Sequence, residues 1–152
     1  GLGIVEDMLG NTKEGIVLIQ KALDYDSENA GIHHVLAGAY QKIECNAEAS
    51  YHYLKSLELD PSDQEAFSDY IEFLCASSLI EAQAYLQNIE AHDVNFSLAQ
   101  LHLVSIKWKM GQHAEAKHLF AMCLQRDPTG AKQIFEINPQ LLDDNDFLHL
   151  AN

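Results

Sequence analysis

The stretch YHYLKSLELDPSD, Tyr51–Asp63, decides the reading of this chain. It reads as the last turns of an amphipathic helix, an Asp-Pro step that ends it, and a fresh helix start. The phrase returns as FAMCLQRDPTG, Phe120–Gly130, with the Asp-Pro pairs Asp60-Pro61 and Asp127-Pro128 lying 67 residues apart. A proline cannot continue a helix, so each pair fixes where one helical segment stops.

Other positions step at half that distance. The small residues Gly15, Ala49, Ala82 and Ala116 are separated by 34, 33 and 34 residues. One turn on, the bulky residues Ile19, Tyr53, Leu86 and Phe120 repeat the same steps. So do Ala22, Ser56, Ile89 and Cys123. The pairs Leu2-Gly3, Leu36-Ala37, Tyr70-Ile71 and Leu103-Val104 step by 34, 34 and 33, so one residue is lost between Ile71 and Ala82, near the turn Cys75–Ser78. A fixed period of this size is the mark of a helical repeat. The small residue lets two helices approach closely, and the bulky one fills the gap beside it.

Local signals agree. No Asn-Gly or Asp-Gly hairpin turn and no sustained period-two alternation occur. Ser62–Glu65 and Ser78–Glu81 have capping-box spacing, Asn46 precedes a periodic run, Gly111 stops a helix, and Asn138-Pro139 offers a cap followed by a first-turn proline. Connections of two to five residues make successive helices antiparallel hairpins.

The 34-residue pattern resembles the tetratricopeptide repeat. Ala30–Asp63 carries it best: Leu36-Ala37 stands for the family's Leu-Gly pair, Tyr40 for its Tyr, Ala49 for its Ala, Tyr53 for its later aromatic and Pro61 for its closing Pro, while His33 replaces the leading aromatic. Ser97–Gly130 matches in its second half through Gly111, Ala116, Phe120 and Pro128; Gln64–Phe96 keeps Phe67 but has no closing proline. The expected fold is therefore all-α. The resemblance implies a right-handed solenoid of antiparallel hairpins, divided as 1–29 (a partial unit whose first helix is cut short), 30–63, 64–96, 97–130 and a capping segment 131–152 with an Asn-Pro restart and a helix ending at Leu150. The chain then reads as a fragment of a longer array, with apolar surface around Leu2, Ile4 and Val5 open to a second copy.

Composition narrows the function. Nine Lys and Arg against 23 Asp and Glu give a net charge of −14, and no basic patch stands out. Such a field repels phosphate backbones and anionic lipid surfaces. No apolar run is long enough to span a bilayer. The three cysteines, Cys45, Cys75 and Cys123, are widely spaced and odd in number. They read as small apolar residues on helix faces in a reducing compartment such as the cytoplasm, with a bacterial periplasm as the alternative.

Eight histidines invite a metal reading, but the spacing opposes it. His33 and His34 are adjacent, His113 and His118 are five apart, and His52 has no nearby partner, whereas helical ligands sit three or four apart. No Gly-rich phosphate loop is present. No cofactor, metal or catalytic set is expected, which leaves binding.

In arrays that resemble this one, first helices line a groove. The corresponding stripe here is His34, Gly38, Gln41 and Lys42, then Glu65, Ser68, Glu72 and Cys75, then Leu98, Leu101, Ser105, Trp108 and Lys109. The residues expected to touch a ligand are His34, Gln41, Ser68, Glu72, Leu101, Ser105 and Trp108, with Trp108 either an anchor or packed beneath the terminal segment. The Lys-Arg-Asn clamp by which some relatives hold a peptide's terminal carboxylate is missing, and Glu72 would repel one. The expected partner is a protein or peptide segment of basic or apolar character, and the alternative is a spacer or self-associating scaffold.

Overall fold

The computed structural model describes the backbone of residues 4–152 and the side chains of residues 11–152. Among the described residues the secondary structure is helical: α1 (Ile4–Tyr25), α2 (Ala30–Lys42), α3 (Asn46–Leu59), α4 (Gln64–Ser77), α5 (Leu79–Gln87), α6 (Phe96–Lys109), α7 (His113–Arg126), α8 (Gly130–Ile137), a 3-10 turn Pro139–Asp143 and α9 (Asn145–Ala151). The chain divides within α4 into two compact units, Gly1–Phe73 and Leu74–Asn152.

In the first unit α2 and α3 form a hairpin. Ala49 is fully buried where they meet, and Leu36, Ala37 and Tyr53 are buried with it. Ser56 donates its hydroxyl to the Ala30 carbonyl at 2.9 Å, tying the end of α3 to the start of α2. The second unit repeats the plan in α6 and α7, where Ala116 and Phe120 are both fully buried. Small and bulky residues one turn apart therefore do at both hairpins what the period assigns to them. The second unit also closes on itself at its end. Phe120 joins Leu101, Val104, Ala116, Ile134, Leu141 and Phe147 in one cluster drawn from α6, α7, α8, the 3-10 turn and α9. Outside it, Lys117 on α7 reaches Asp146 at 2.7 Å and Asp144 at 3.9 Å.

Several local expectations need correction. The sequence reading separates a helix around Leu2-Gly3 from another starting before Gly15. Leu2 and Gly3 lie outside the described residues, and from Ile4 the backbone is one helix through to Tyr25. Nothing there compels a turn: the first proline is Pro61, and Gly10-Asn11 cost a helix only about 1 kcal/mol each. The side chains of Ile4 and Val5, invoked for the open edge, are also outside the described set. The cap of α4 is Asp63, whose carboxylate accepts from the Ala66 N–H at 3.1 Å, whereas the Ser62 hydroxyl donates to Asp60 at 2.7 Å. The Asp carboxylate is the stronger acceptor one residue nearer the helix. Ser78 does cap α5, accepting from the Glu81 N–H at 3.2 Å. Asn46 is already inside α3, and Cys45 sits at its N-cap rather than on a helix face. Beyond Asn138-Pro139 the single expected helix is two pieces, because Asp144 starts α9 afresh by accepting from the N–H groups of Asp146 and Phe147.

The turns inside the two hairpins are the same turn. Gly111 has φ +82, its N–H reaches the Trp108 carbonyl at 3.0 Å, and Gln112 N–H reaches Lys107 at 2.9 Å. Sixty-seven residues earlier Glu44 has φ +60, with Glu44 N–H to Gln41 at 3.0 Å and Cys45 N–H to Tyr40 at 2.9 Å. A side chain in this left-handed conformation costs about 1 kcal/mol that glycine avoids. Glu44→Gly should therefore raise the stability of the first unit by up to about 1 kcal/mol, less the extra freedom glycine gives the unfolded chain. A higher melting temperature by circular dichroism checks it; a lower one would mean that Glu44 holds the turn by its side chain.

Candidate functional site

A cleft of about 360 Å³ opens in the first unit between α1, α2 and α4. Its floor is built from residues that lack bulk. Gly15 of α1 and Gly38 of α2 both line it, and a Cβ on either would meet nothing within 4 Å. Ile19 and Val35 supply apolar wall, and Val35 is 57% exposed.

The polar wall comes from His34, Lys42, Glu65 and Asp69. His34 Nε2 lies 2.7 Å from Asp69 Oδ2, bridging α2 and α4. A carboxylate only accepts, so Nε2 carries the proton and donates. The imidazole is thereby fixed at the cleft with its orientation set by the carboxylate. Glu65, exposed one helical turn before Asp69, leaves a second carboxylate without a described cation within ion-pair distance.

Beside this wall Tyr53 is buried and donates its hydroxyl to Gln41 Oε1 at 2.6 Å. Burial, with Asp69 and then Glu72 adding negative charge, pushes the phenol up to about 12, so it remains a neutral donor. Gln41 thus orients a core tyrosine. Ser68 is half-buried and Glu72 is exposed on α4, neither of them lining the cleft. Of the four residues singled out here from the sequence, His34 alone lines it.

In the second unit two of the residues expected to touch a ligand are almost wholly covered. Leu101 and Ser105 are each 3% exposed. α8 begins against Leu101, where a Cβ on Gly130 would come within 3.3 Å of Leu101 Cδ2. Ser105 Oγ accepts from Asn138 Nδ2 at 3.2 Å, and Asn138 Oδ1 also accepts from the Gln140 N–H. The Asn-Pro step is therefore both a cap and a buried polar link to α6. Trp108 is half-buried, packs against the cluster that the terminal segment completes, and stacks on His113 at 5.2 Å. A separate cleft of about 400 Å³ lies between α6, α7 and α8, and Leu101 lines it together with Leu119, Met122 and Cys123.

Asp69 was not singled out from the sequence, since its role depends on the rotation of α4 against α2. The other missed contact is between His33 and His52, whose Nδ1 atoms are 2.9 Å apart in the core of the first unit. His33 Nε2 donates to the Ser27 carbonyl at 3.0 Å, so its Nδ1 accepts and His52 Nδ1 carries the proton. Burial first, and His33 second, hold His52 below the usual imidazole range. Among the described residues no group of three or more His, Cys, Asp or Glu converges to hold a metal ion.

No protein-family model matches the chain, and no curated protein matches it in sequence. Solved structures do. Pseudomonas aeruginosa PilF matches at 24% identity and a TM-score of 0.57, over 99% of this chain and 71% of that one. YrrB, a tetratricopeptide-repeat protein with an unusual peptide-binding site, matches at 19% identity and a TM-score of 0.52, over 93% of this chain and 75% of that one. The chain has the tetratricopeptide-repeat fold. A further match is PilW, a widely conserved type IV pilus biogenesis factor, at 22% identity and a TM-score of 0.55, over 93% of this chain and 69% of that one.

Proposed function

We propose that this chain is a non-enzymatic protein-protein interaction module whose first unit holds a segment of a partner protein in the His34 cleft. The observation that carries this is the combination of a glycine floor with an imidazole pinned to a carboxylate. The floor leaves room for a guest side chain, and the wall selects its charge. Asp69 is engaged by His34 and the wall also carries Lys42, so Glu65 is the carboxylate left to hold a guest Lys or Arg flanked by apolar residues. The chain's net charge of −14 acts in the same direction at long range. His34 serves recognition here, because its Nε2–H is already engaged by Asp69. The likeness to YrrB, itself a peptide binder, supports the reading.

Gly38→Leu tests it. Leucine favours a helix by about 1 kcal/mol over glycine and has open space to enter, so the fold should survive or gain stability while the cleft fills. Selection of short random peptides on the native chain should enrich sequences with Lys or Arg beside apolar residues, and Gly38→Leu should weaken them at least about tenfold. Glu65→Lys should act in the same sense. Peptides that bind native chain and Gly38→Leu equally would move the contact elsewhere. Failure to enrich any sequence would sink the groove reading.

A further inference from the structure

The basic residues of this chain are unevenly spread. Positions 96–133, in α6, α7 and the start of α8, hold five of the nine: Lys107, Lys109, Lys117, Arg126 and Lys132. The same stretch holds only two of the 23 acidic residues, Glu115 and Asp127. Its net charge is +3, against −17 for the rest of the chain. Lys107 is engaged by Glu115, and Lys117 by Asp144 and Asp146. Arg126 is exposed, and no described carboxylate stands within ion-pair distance of it.

Arg126 lines the cleft of about 400 Å³ in the second unit. Leu119, Met122, Cys123 and Arg126 form one stripe of α7 that is apolar up to its last member, and Leu101 of α6 adds to its apolar wall. Burial pushes the Cys123 thiol up, against the pull of Arg126, so Cys123 stays neutral and belongs to that wall. The Arg126 guanidinium lies over the Phe96 ring, 4.6 Å from its centroid. Stacking steadies the guanidinium and leaves its N–H edge for a carboxylate. Asp127, the acidic residue of the cleft, is already held: its Oδ1 accepts from the Thr129 N–H at 3.0 Å and from the Thr129 hydroxyl at 2.8 Å.

We propose that this cleft is a second docking site, for a partner segment in which an Asp or Glu side chain adjoins a bulky apolar one. The apolar side chain enters against Leu119 and Met122, and the carboxylate meets Arg126. Charge complementarity selects this occupant. A guest Lys or Arg would face an unpaired guanidinium, and an acidic segment is repelled by the rest of the chain but not by this stretch. The cleft therefore prefers the opposite charge to the His34 cleft and stands independently of it.

Met122, one of three methionines, supplies the reporter. In the whole chain labelled with carbon-13 at its methionine methyl groups, the Met122 resonance should move as the blocked tetrapeptide Ala-Leu-Glu-Ala is added, with a dissociation constant on the order of 1 mM. Replacing the peptide's glutamate by glutamine should weaken binding about threefold, the worth of one exposed ion pair, and replacing it by lysine should weaken it further. Arg126→Gln, at an exposed position, should cost the glutamate peptide the same factor and the glutamine peptide nothing. Lys132→Gln removes the same charge from outside the cleft and should leave binding unchanged, as should Gly38→Leu in the first unit. A Met122 resonance that stays still would overturn the proposal. So would a peptide series indifferent to charge, or equal losses from Arg126→Gln and Lys132→Gln, which would reduce the effect to long-range attraction. Loss of binding in Gly38→Leu would place the contact in the His34 cleft and overturn it too.

Discussion

Phe120→Ala should remove about 4 kcal/mol from the second unit, most of the stability such a unit has. Phe120 is fully buried and stacks on Phe147 at 5.4 Å. Its neighbours include Ala116 of its own helix, Ile134 of α8 and Leu141 of the 3-10 turn. The cavity left by the ring could close only if α8, the turn and α9 moved together, and the Asn138–Ser105 and Lys117–Asp146 contacts hold them in place. Trp108, the one tryptophan, lies in this unit and packs on the cluster, so its fluorescence reports the unfolding locally. The urea midpoint followed that way should fall by more than half, or the unit should fail to fold. Phe120→Leu keeps the cavity small and should cost only about 1 kcal/mol. Met122→Ala, two residues away and 53% exposed in the native chain, should change stability by less than about 0.5 kcal/mol. Equal losses for Phe120→Ala and Met122→Ala would mean that the terminal segment does not depend on this core.

Acid should weaken the same unit before the carboxylates titrate. His102 is 5% exposed on α6, and burial, with Lys109 adding to it, brings its imidazole from 6.5 to about 4. The folded value is the lower one, so below pH 6.5 the unfolded chain takes up a proton that the folded chain refuses. Stability is full above pH 6.5, falls as pH drops, and stops falling from this cause below about 4. The difference corresponds to about 3 kcal/mol. His52 is also lowered, so the first unit should lose stability with the same sign. Asp127 and Asp146, both held below the usual carboxylate range by hydrogen bonds from Thr129 and Lys117, add their losses only at lower pH. Urea titrations between pH 7 and 4.5, read by Trp108, should show the decline, and His102→Gln should flatten its slope. The slope is the quantity to compare, since the substitution also changes packing. A native slope of zero across that range would mean that His102 is protonated without cost.

How much of the fold and the cleft was legible in the sequence follows from what each signal depends on. The helices and their hairpins rest on periodicity and on the chemistry of single residues. Proline ends a helix and alanine lets two approach wherever they occur. Ser78 caps α5 and Gly111 stops α6, both as their local chemistry predicts. Glu44 could have been found too: the step of 67 that relates the Asp-Pro pairs carries it onto Gly111. α6 holds a second unused signal. Leu98, Ala99 and Leu101 through Ile106 are buried all round it, and a helix apolar on every side is covered on every side. The composition of α6 therefore argues for a helix packed on most of its surface, with Ser97, Gln100 and Leu101 left at the rim of a cleft.

The sequence by itself determined that this chain is an all-helical repeat, because the pattern is local and recurs. Only the tertiary structure decided which face of each helix stays open. That depends on the next element to arrive, and on rotations of a few tens of degrees that no spacing records. α8 and Asn138 buried Leu101 and Ser105, whereas among the described residues nothing stands within 4 Å of where a Cβ on Gly38 would be. The rotation of α4 brought Asp69 to His34, and the α2–α3 contact brought His52 to His33 across 19 residues.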